Sequence, residues 1–233
     1  MKILAIIPAR GGSKGVSGKN IKILGDTPLI GYTIQQALES TLLSKILVST
    51  DDSSIAAVAL NYGVDVPFLR PEKLSDDTAS SISVVQHAIA FLEAKGEFFD
   101  AVCLLQPTAP FRERGSIDKA IAVFKEKKAD SLVTVLQVPL EYNPHWVFEA
   151  DENGCLAIAT GEKEIIKRRQ DLPKAFFRDG SLYLTKIEAI KSGSFYGSSI
   201  SYMESNPDLY VNIDTMTDWE KAVKKLPTIL RLI

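Results

Sequence analysis

The 233-residue sequence predicts an α/β fold of the Rossmann-like kind, a mostly parallel sheet with flanking helices, and three observations carry that expectation. Short branched apolar runs alternate with helical apolar stripes through the first two thirds of the chain, the pattern of successive β-α-β units. A glycine-rich loop bearing cations follows the first of those runs. Two later polar clusters, Ser49-Thr50-Asp51-Asp52 and Gln106-Pro107-Thr108-Ala109-Pro110-Phe111-Arg112, also end predicted strands. All three therefore gather at the sheet edge where open α/β proteins put their ligands.

In chain order, Ile3-Leu4-Ala5-Ile6-Ile7 has the length and branching of a buried strand. Helical periodicity runs from Leu29 to Leu38, from Ile55 to Asn61 and from Ser81 to Leu92, with Gly63 and Gly96 as stops. Further strands are expected over Ile46 to Ser49, Val102 to Leu105 and Leu132 to Val138, and Ile117, Ile121 and Phe124 mark another helix. The alternation breaks between Pro139 and Pro173. There Asn153-Gly154 predicts a two-residue hairpin turn between Trp146-Val147-Phe148 and Leu156-Ala157-Ile158. A protruding β-hairpin has little core of its own, so it is expected to serve as a dimerisation element, an intrachain lid being the alternative. Ser181 to Leu184 and Tyr210 to Asp214 are the last expected strands, and a helix from Thr217, its cap, to Leu226 closes the chain. Residues 1–233 form one domain in this reading, with 139–173 as an inserted subregion.

Charge and composition exclude several classes. The formal net charge is -2, which argues against broad nucleic-acid binding. Two cysteines form no disulfide framework, and Cys103 reads as a buried small hydrophobe. No apolar run has the length of a signal-peptide core or a membrane span, so no membrane partner and a cytoplasmic location are expected.

The loop from Ala9 to Asn20 carries four glycines with Arg10, Lys14 and Lys19. Glycines let backbone N–H groups approach anionic oxygens, and the cations match a polyphosphate. A Walker A loop fails on Ser13 and Asn20, and a dinucleotide fingerprint fails on spacing. Gly11-Gly12-Ser13-Lys14-Gly15 matches a hydrolase nucleophile elbow, but only His87 and His145 are available as bases, and His87 stands alone in a helical pattern. Phosphate explains the three cations better. At the other strand ends, at least one of Asp51 and Asp52 reads as a helix cap, whereas Gln106 has no evident structural duty. Asp214 is a candidate Mg²⁺ ligand, with a helix cap as its alternative. Arg168-Arg169-Gln170-Asp171 is either a solvated face or a carboxylate clamp.

Taken in order, Ile7-Pro8-Ala9-Arg10-Gly11-Gly12-Ser13-Lys14-Gly15, Gly18-Lys19-Asn20, Leu69-Arg70-Pro71, Asp77-Thr78-Ala79-Ser80-Ser81, Leu105 to Arg112, Arg169, Asp179-Gly180-Ser181-Leu182-Tyr183 and Ile213-Asp214 span nearly the whole chain. This series resembles the CMP-N-acylneuraminate synthetases, cytidylyltransferases that activate sialic-type nonulosonic acids. The resemblance implies a single nucleotidyltransferase domain in which Arg10, Lys14 and Lys19 neutralise the CTP triphosphate. It implies that Asn20, Arg70, Ala79 and Ser81 line the cytidine site, and that Gln106, Tyr183, Phe195 and Tyr196 contact the sugar. Arg169 would reach the sugar from the partner's hairpin in a homodimer or a dimer of dimers, and Asp214 would bind Mg²⁺. The sugar acid would be N-acetylneuraminate, the deaminated sugar KDN or legionaminic acid. The chain departs from the family pattern at Asn212, where an Asp is common, and in lacking a Lys within Tyr142-Asn143-Pro144-His145-Trp146. A KDO-type cytidylyltransferase and a non-catalytic nucleotide-binding regulator are the alternative readings.

Overall fold

The computed structural model describes residues 1–76 and 78–233, so Asp77, within the quoted motif, lies outside the described residues. Strand β1 (Ile3–Pro8) leads through the glycine-rich loop and two short strands, β2 (Ile23–Leu24) and β3 (Thr27–Pro28), into α1 (Leu29–Glu39). Next, β4 (Lys45–Ser49) feeds α2 (Ser53–Asn61) and, after a long connection, α3 (Ser81–Glu93). Then β5 (Ala101–Leu105), α4 (Ser116–Lys127) and β6 (Ser131–Gln137) follow. The insert carries β7 (Phe148–Ala150) and β8 (Leu156–Ile158), after which β9 (Phe176–Lys186), α5 (Ile187–Lys191), β10 (Ile200–Glu204) and α6 (Met216–Ile229) complete the chain.

The central sheet has the order β10-β6-β9-β5-β1-β4. β1 runs parallel to β4 and β5, and β10 runs parallel to β6. Only β9 is antiparallel to its neighbours. The insert explains this direction: the chain leaves β6 and returns as β9 at the same sheet edge, where Val138 N–H donates to the Ala175 carbonyl.

Because β1 is covered on both faces, it is apolar at every position instead of alternating. Ile3, Ala5 and Ile7 pack with α1 and α4 through Ile30, Ile34, Ile121 and Phe124. Leu4 and Ile6 pack under α3 with Val85, Ala88 and Leu92. A third cluster joins Val16 of the loop to Leu209, Val211, Ile213 and Trp219, fixing the C-terminal segment against the glycine-rich loop. Gly63 and Gly96 follow α2 and α3 with φ near +80°, the left-handed geometry that ends a helix.

Three expectations are corrected here. Tyr210–Asp214 joins no sheet: Val211 and Ile213 do alternate inward, but they bury against the third cluster, and Ile213 N–H donates only to the Thr108 carbonyl. The closing helix is capped by Thr215, not Thr217, through a capping box with Asp218. The insert's hairpin turns through residues 151–155 and not through a two-residue turn, because Asp151 Oδ1 accepts from the N–H groups of Asn153 and Cys155 at 2.9 and 2.8 Å.

Candidate active site

The loop after β1 is held by the ends of the neighbouring strands. Ala9 N–H donates to the Ser49 carbonyl, and Gly11 N–H donates to Asp51 Oδ1 at 3.1 Å. A Cβ at Gly11 would lie 2.5 Å from Asp52 Oδ2, and one at Gly15 would lie 2.0 Å from the Asp214 carbonyl oxygen. Gly15 is thus required by the close approach of another backbone segment, and Gly11 leaves room for the Asp52 side chain. Asn20 is buried and donates to the Arg10 carbonyl at 2.9 Å, closing the loop on itself.

Over this loop opens a cavity of about 470 Å³. Arg10, Lys14, Lys19, Asn20, Arg70, Ala79, Ser81, Gln106 and Asp214, drawn from six separate sequence motifs, all line it. Lys19 is held from two sides: its side chain is 13% exposed, and Nζ donates to the Ile213 carbonyl at 2.8 Å and to Asp214 Oδ1 at 3.3 Å. Asp214 is 60% exposed, and its other oxygen accepts from Asn212 at 2.7 Å.

Asp51 and Asp52 divide their work. Asp52 caps α2, accepting from Ser54 and Ile55 N–H. Asp51 anchors the loop and stands 3.6 Å from Arg70, an ion pair the sequence reading missed. The Arg70 side chain is 4% exposed, and its Nε and Nη2 make no hydrogen bond. Burial pulls its pKa down, with Asp51 acting against that. Donors buried without acceptors are costly, so Arg70 is poised for a ligand that brings oxygen or ring nitrogen into the cavity. Asp76, also missed, lines the cavity and accepts from Thr78 and Ala79 N–H, shaping the approach to α3.

Gln106 is positioned from behind by Arg112. The buried Arg112 guanidinium donates to the carbonyls of Gln106 and Ser181 at 3.1 and 2.6 Å, and to Thr33 and Gln36. Burial pulls its pKa to about 10, with Asp179 and Cys103 opposing, so it stays charged at neutral pH. Its replacement by methionine keeps the volume but strands four acceptors. Arg112→Met is expected to cost about 3 kcal/mol or more of stability, given 1–3 kcal/mol per buried group left unpaired, as read from urea unfolding. A loss under about 1 kcal/mol would show that these bonds contribute little.

Not every expected residue enters the cavity. Tyr183, Phe195 and Tyr196 form a separate group: Tyr183 and Phe195 have ring centroids 6.0 Å apart, and Arg178 donates to the Tyr196 hydroxyl. Arg169 lies in the insert beside Leu140, Trp146 and Ile165, while Arg168 pairs with Asp171 at 2.7 Å. Neither histidine lines the cavity. His87 stands edge-on to Phe68 at 4.7 Å, its pKa lowered first by burial and then by Arg70 and Lys73, and His145 pairs with Glu162. Ser13 therefore has no histidine partner in the cavity, and its loop opens no α-helix, so the nucleophile-elbow reading fails on geometry. Cys103 is buried, as expected, with its thiol pushed up to about 12. Among the described residues, no group of three or more His, Cys, Asp or Glu could hold a metal alone, and no helix is long and apolar enough to cross a membrane.

The cavity thus presents cations and unspent donors in a glycine-lined cradle, a fit for a nucleoside polyphosphate. Comparison with known proteins agrees. The family model described as cytidylyltransferase matches residues 4–226. The chain is 38% identical over 225 residues to the pseudaminic acid cytidylyltransferase of Campylobacter jejuni, covering 95% of each. It is also 38% identical over 228 residues to the CMP-N,N'-diacetyllegionaminic acid synthase of Legionella pneumophila, covering 96% of each. Against the N-acylneuraminate cytidylyltransferase of Escherichia coli it is 32% identical over 225 residues, spanning 51% of that protein. In fold, it superposes on a CMP:2-keto-3-deoxy-manno-octonic acid synthetase complexed with CTP, with a TM-score of 0.71 at 15% identity over 98% of this chain and 99% of that one. The chain belongs to the cytidylyltransferase family.

Proposed function

We propose that the protein transfers CMP from CTP to a nonulosonic acid, a sialic-type keto acid, forming the CMP-sugar and pyrophosphate. The observation that carries this is the convergence of three loop cations and the unspent Arg70 donors on one cavity at the sheet edge. Arg10, Lys14 and Lys19 hold the triphosphate, Arg70 meets acceptor atoms of the cytosine ring, and Asn20, Ala79 and Ser81 complete the cytidine wall. Gln106 orients the sugar. Its anomeric hydroxyl attacks the α-phosphorus in line, the new O–P bond forming as the bond to pyrophosphate breaks and the hydroxyl proton passes to solvent. Positioning and charge neutralisation supply the rate, as in phosphoryl transfer generally.

Two carboxylates, Asp76 and Asp214, line the cavity that would take the triphosphate, and a magnesium ion is commonly held by only one or two protein acids. Asp214 is the proposed ligand, with Asn212 orienting it through their hydrogen bond. When bound, the ion adds positive charge against the phosphate oxygens. We favour a di-N-acylated sugar of the legionaminic or pseudaminic kind over N-acetylneuraminate or KDN. The relatives named for such sugars match at higher identity and over nearly their full length. The KDO-type alternative has support from fold likeness alone, at 15% identity. Pyrophosphate release from CTP tests the reading: it should require an added nonulosonic acid. No pyrophosphate release with any of these acids would instead favour a non-catalytic nucleotide-binding protein. The cytoplasm is the proposed location, as CTP is the co-substrate.

A homodimer belongs to this proposal. Tyr142, Phe148, Leu156 and Ile165 are exposed on an insert that buries little itself, and such apolar surface favours a second copy. Arg169 sits there, away from the cavity of its own chain. Mixing Arg169→Ala with Lys19→Ala protein should restore activity through hybrid dimers, one of whose composite sites is intact. A monomer by light scattering, or no rescue under conditions that exchange subunits, would count against it.

A further inference from the structure

One strand beyond Gln106, β9 presents a second polar group toward the same side of the sheet. Tyr183 pairs with Leu104 of β5 and Val133 of β6, and Arg178 pairs with Val135. Val133, Val135 and Tyr183 share the core beneath α3, so Arg178 and Tyr183 face the side on which α3 begins the cytidine wall. Arg178 Nη1 donates to the Tyr196 hydroxyl at 3.1 Å, and the Tyr183 phenol stands close to the guanidinium. No carboxylate neutralises it among the described residues. Tyr183 in turn faces the Phe195 ring. The group adjoins the cavity through Gly180, where a Cβ would stand 3.6 Å from Gln106 Oε1.

Such a group is a guanidinium with N–H donors left over, oriented by two phenols beside an apolar ring pair. That combination suits an acylamino substituent, whose carbonyl accepts from the guanidinium while its methyl meets the rings. Geometry argues against the sugar's carboxylate as its ligand. The carboxylate is attached to the carbon whose hydroxyl attacks CTP, so it stays near the loop after β1. β9 lies two strand spacings away, about 10 Å, and is reached by the sugar's tail.

We propose that Arg178, held by Tyr183 and Tyr196, determines sugar specificity by hydrogen-bonding the carbonyl of an acylamino group on the tail of the nonulosonic acid. This rests on the function proposed above. The test compares wild type with Arg178→Met and Arg178→Lys on N,N'-diacetyllegionaminic acid and on KDN, which has no acylamino group. Arg178→Met should lower kcat/KM for the acylated sugar by about 10- to 100-fold, mainly through KM, as expected for hydrogen bonds to a charged group. The KM for CTP should not move, KDN turnover should change little, and Arg178→Lys should fall between. An unchanged preference between the two sugars, whether through equal losses or none, overturns the inference and leaves the proposed function standing. A wild type that makes no CMP-sugar from any nonulosonic acid overturns both.

Discussion

Lys19→Ala is expected to lower turnover by about 10²- to 10³-fold, the range seen when one preorganised charge donor is removed from a transition-state site. Lys19 differs from an ordinary surface lysine in being nearly buried and doubly held, by the Ile213 carbonyl and by Asp214. Its ammonium is therefore aimed into the cavity before substrate arrives, and little ordering remains to be done during the reaction. Arg10→Ala should act in the same direction. Lys22→Ala provides the control, since Lys22 lies over the Trp219 ring at 5.4 Å and does not line the cavity. Steady-state rates of pyrophosphate release decide the matter. Near-normal turnover in Lys19→Ala and Arg10→Ala would end the assignment of this loop to the triphosphate.

Asp214→Asn should nearly abolish turnover while CTP still binds through Arg10, Lys14 and Lys19. The substitution keeps shape and removes the anionic ligand, so the loss should appear in the dependence of rate on free Mg²⁺. Asn212→Asp should shift that dependence the other way, lowering the Mg²⁺ needed for half-maximal rate, because a second carboxylate would stand where Asn212 now donates to Asp214. Rates against free Mg²⁺ for the three proteins test both substitutions together. If Asp214→Asn keeps the wild-type rate and Mg²⁺ dependence, Asp214 serves only to position Lys19. The ion would then be held by CTP with another acid at the cavity, such as Asp76.

Much of the fold was legible because local chemistry and global packing agree in the β-α-β half. Strands β1, β4 and β5 lie within a residue of the expected spans, since strands buried on both faces are apolar throughout. The nine residues expected at the triphosphate, the cytidine, the sugar's Gln106 and the metal's Asp214 do line one cavity, because the loops and helix starts that carry them gather at the carboxyl edge of the sheet. Legibility fails where an alternating pattern has two explanations. Tyr210–Asp214 alternates as a strand would, but its inward residues pack on α6 and the loop.

By itself, the sequence determined the α/β class, the glycine-rich loop and the identity of the cavity's cations, because glycines, charges and apolar periods act over a few neighbouring residues. Tertiary structure alone decided how distant residues divide their work. Asp52 caps a helix while Asp51 meets Arg70, and Arg112 props Gln106 across positions 33, 36 and 181. β9 runs antiparallel and carries Arg178 and Tyr183 to a wall apart from the glycine-rich loop. Those relations depend on sheet order and on which way the insert returns the chain. Both follow from long-range packing, to which spacing along the chain is blind.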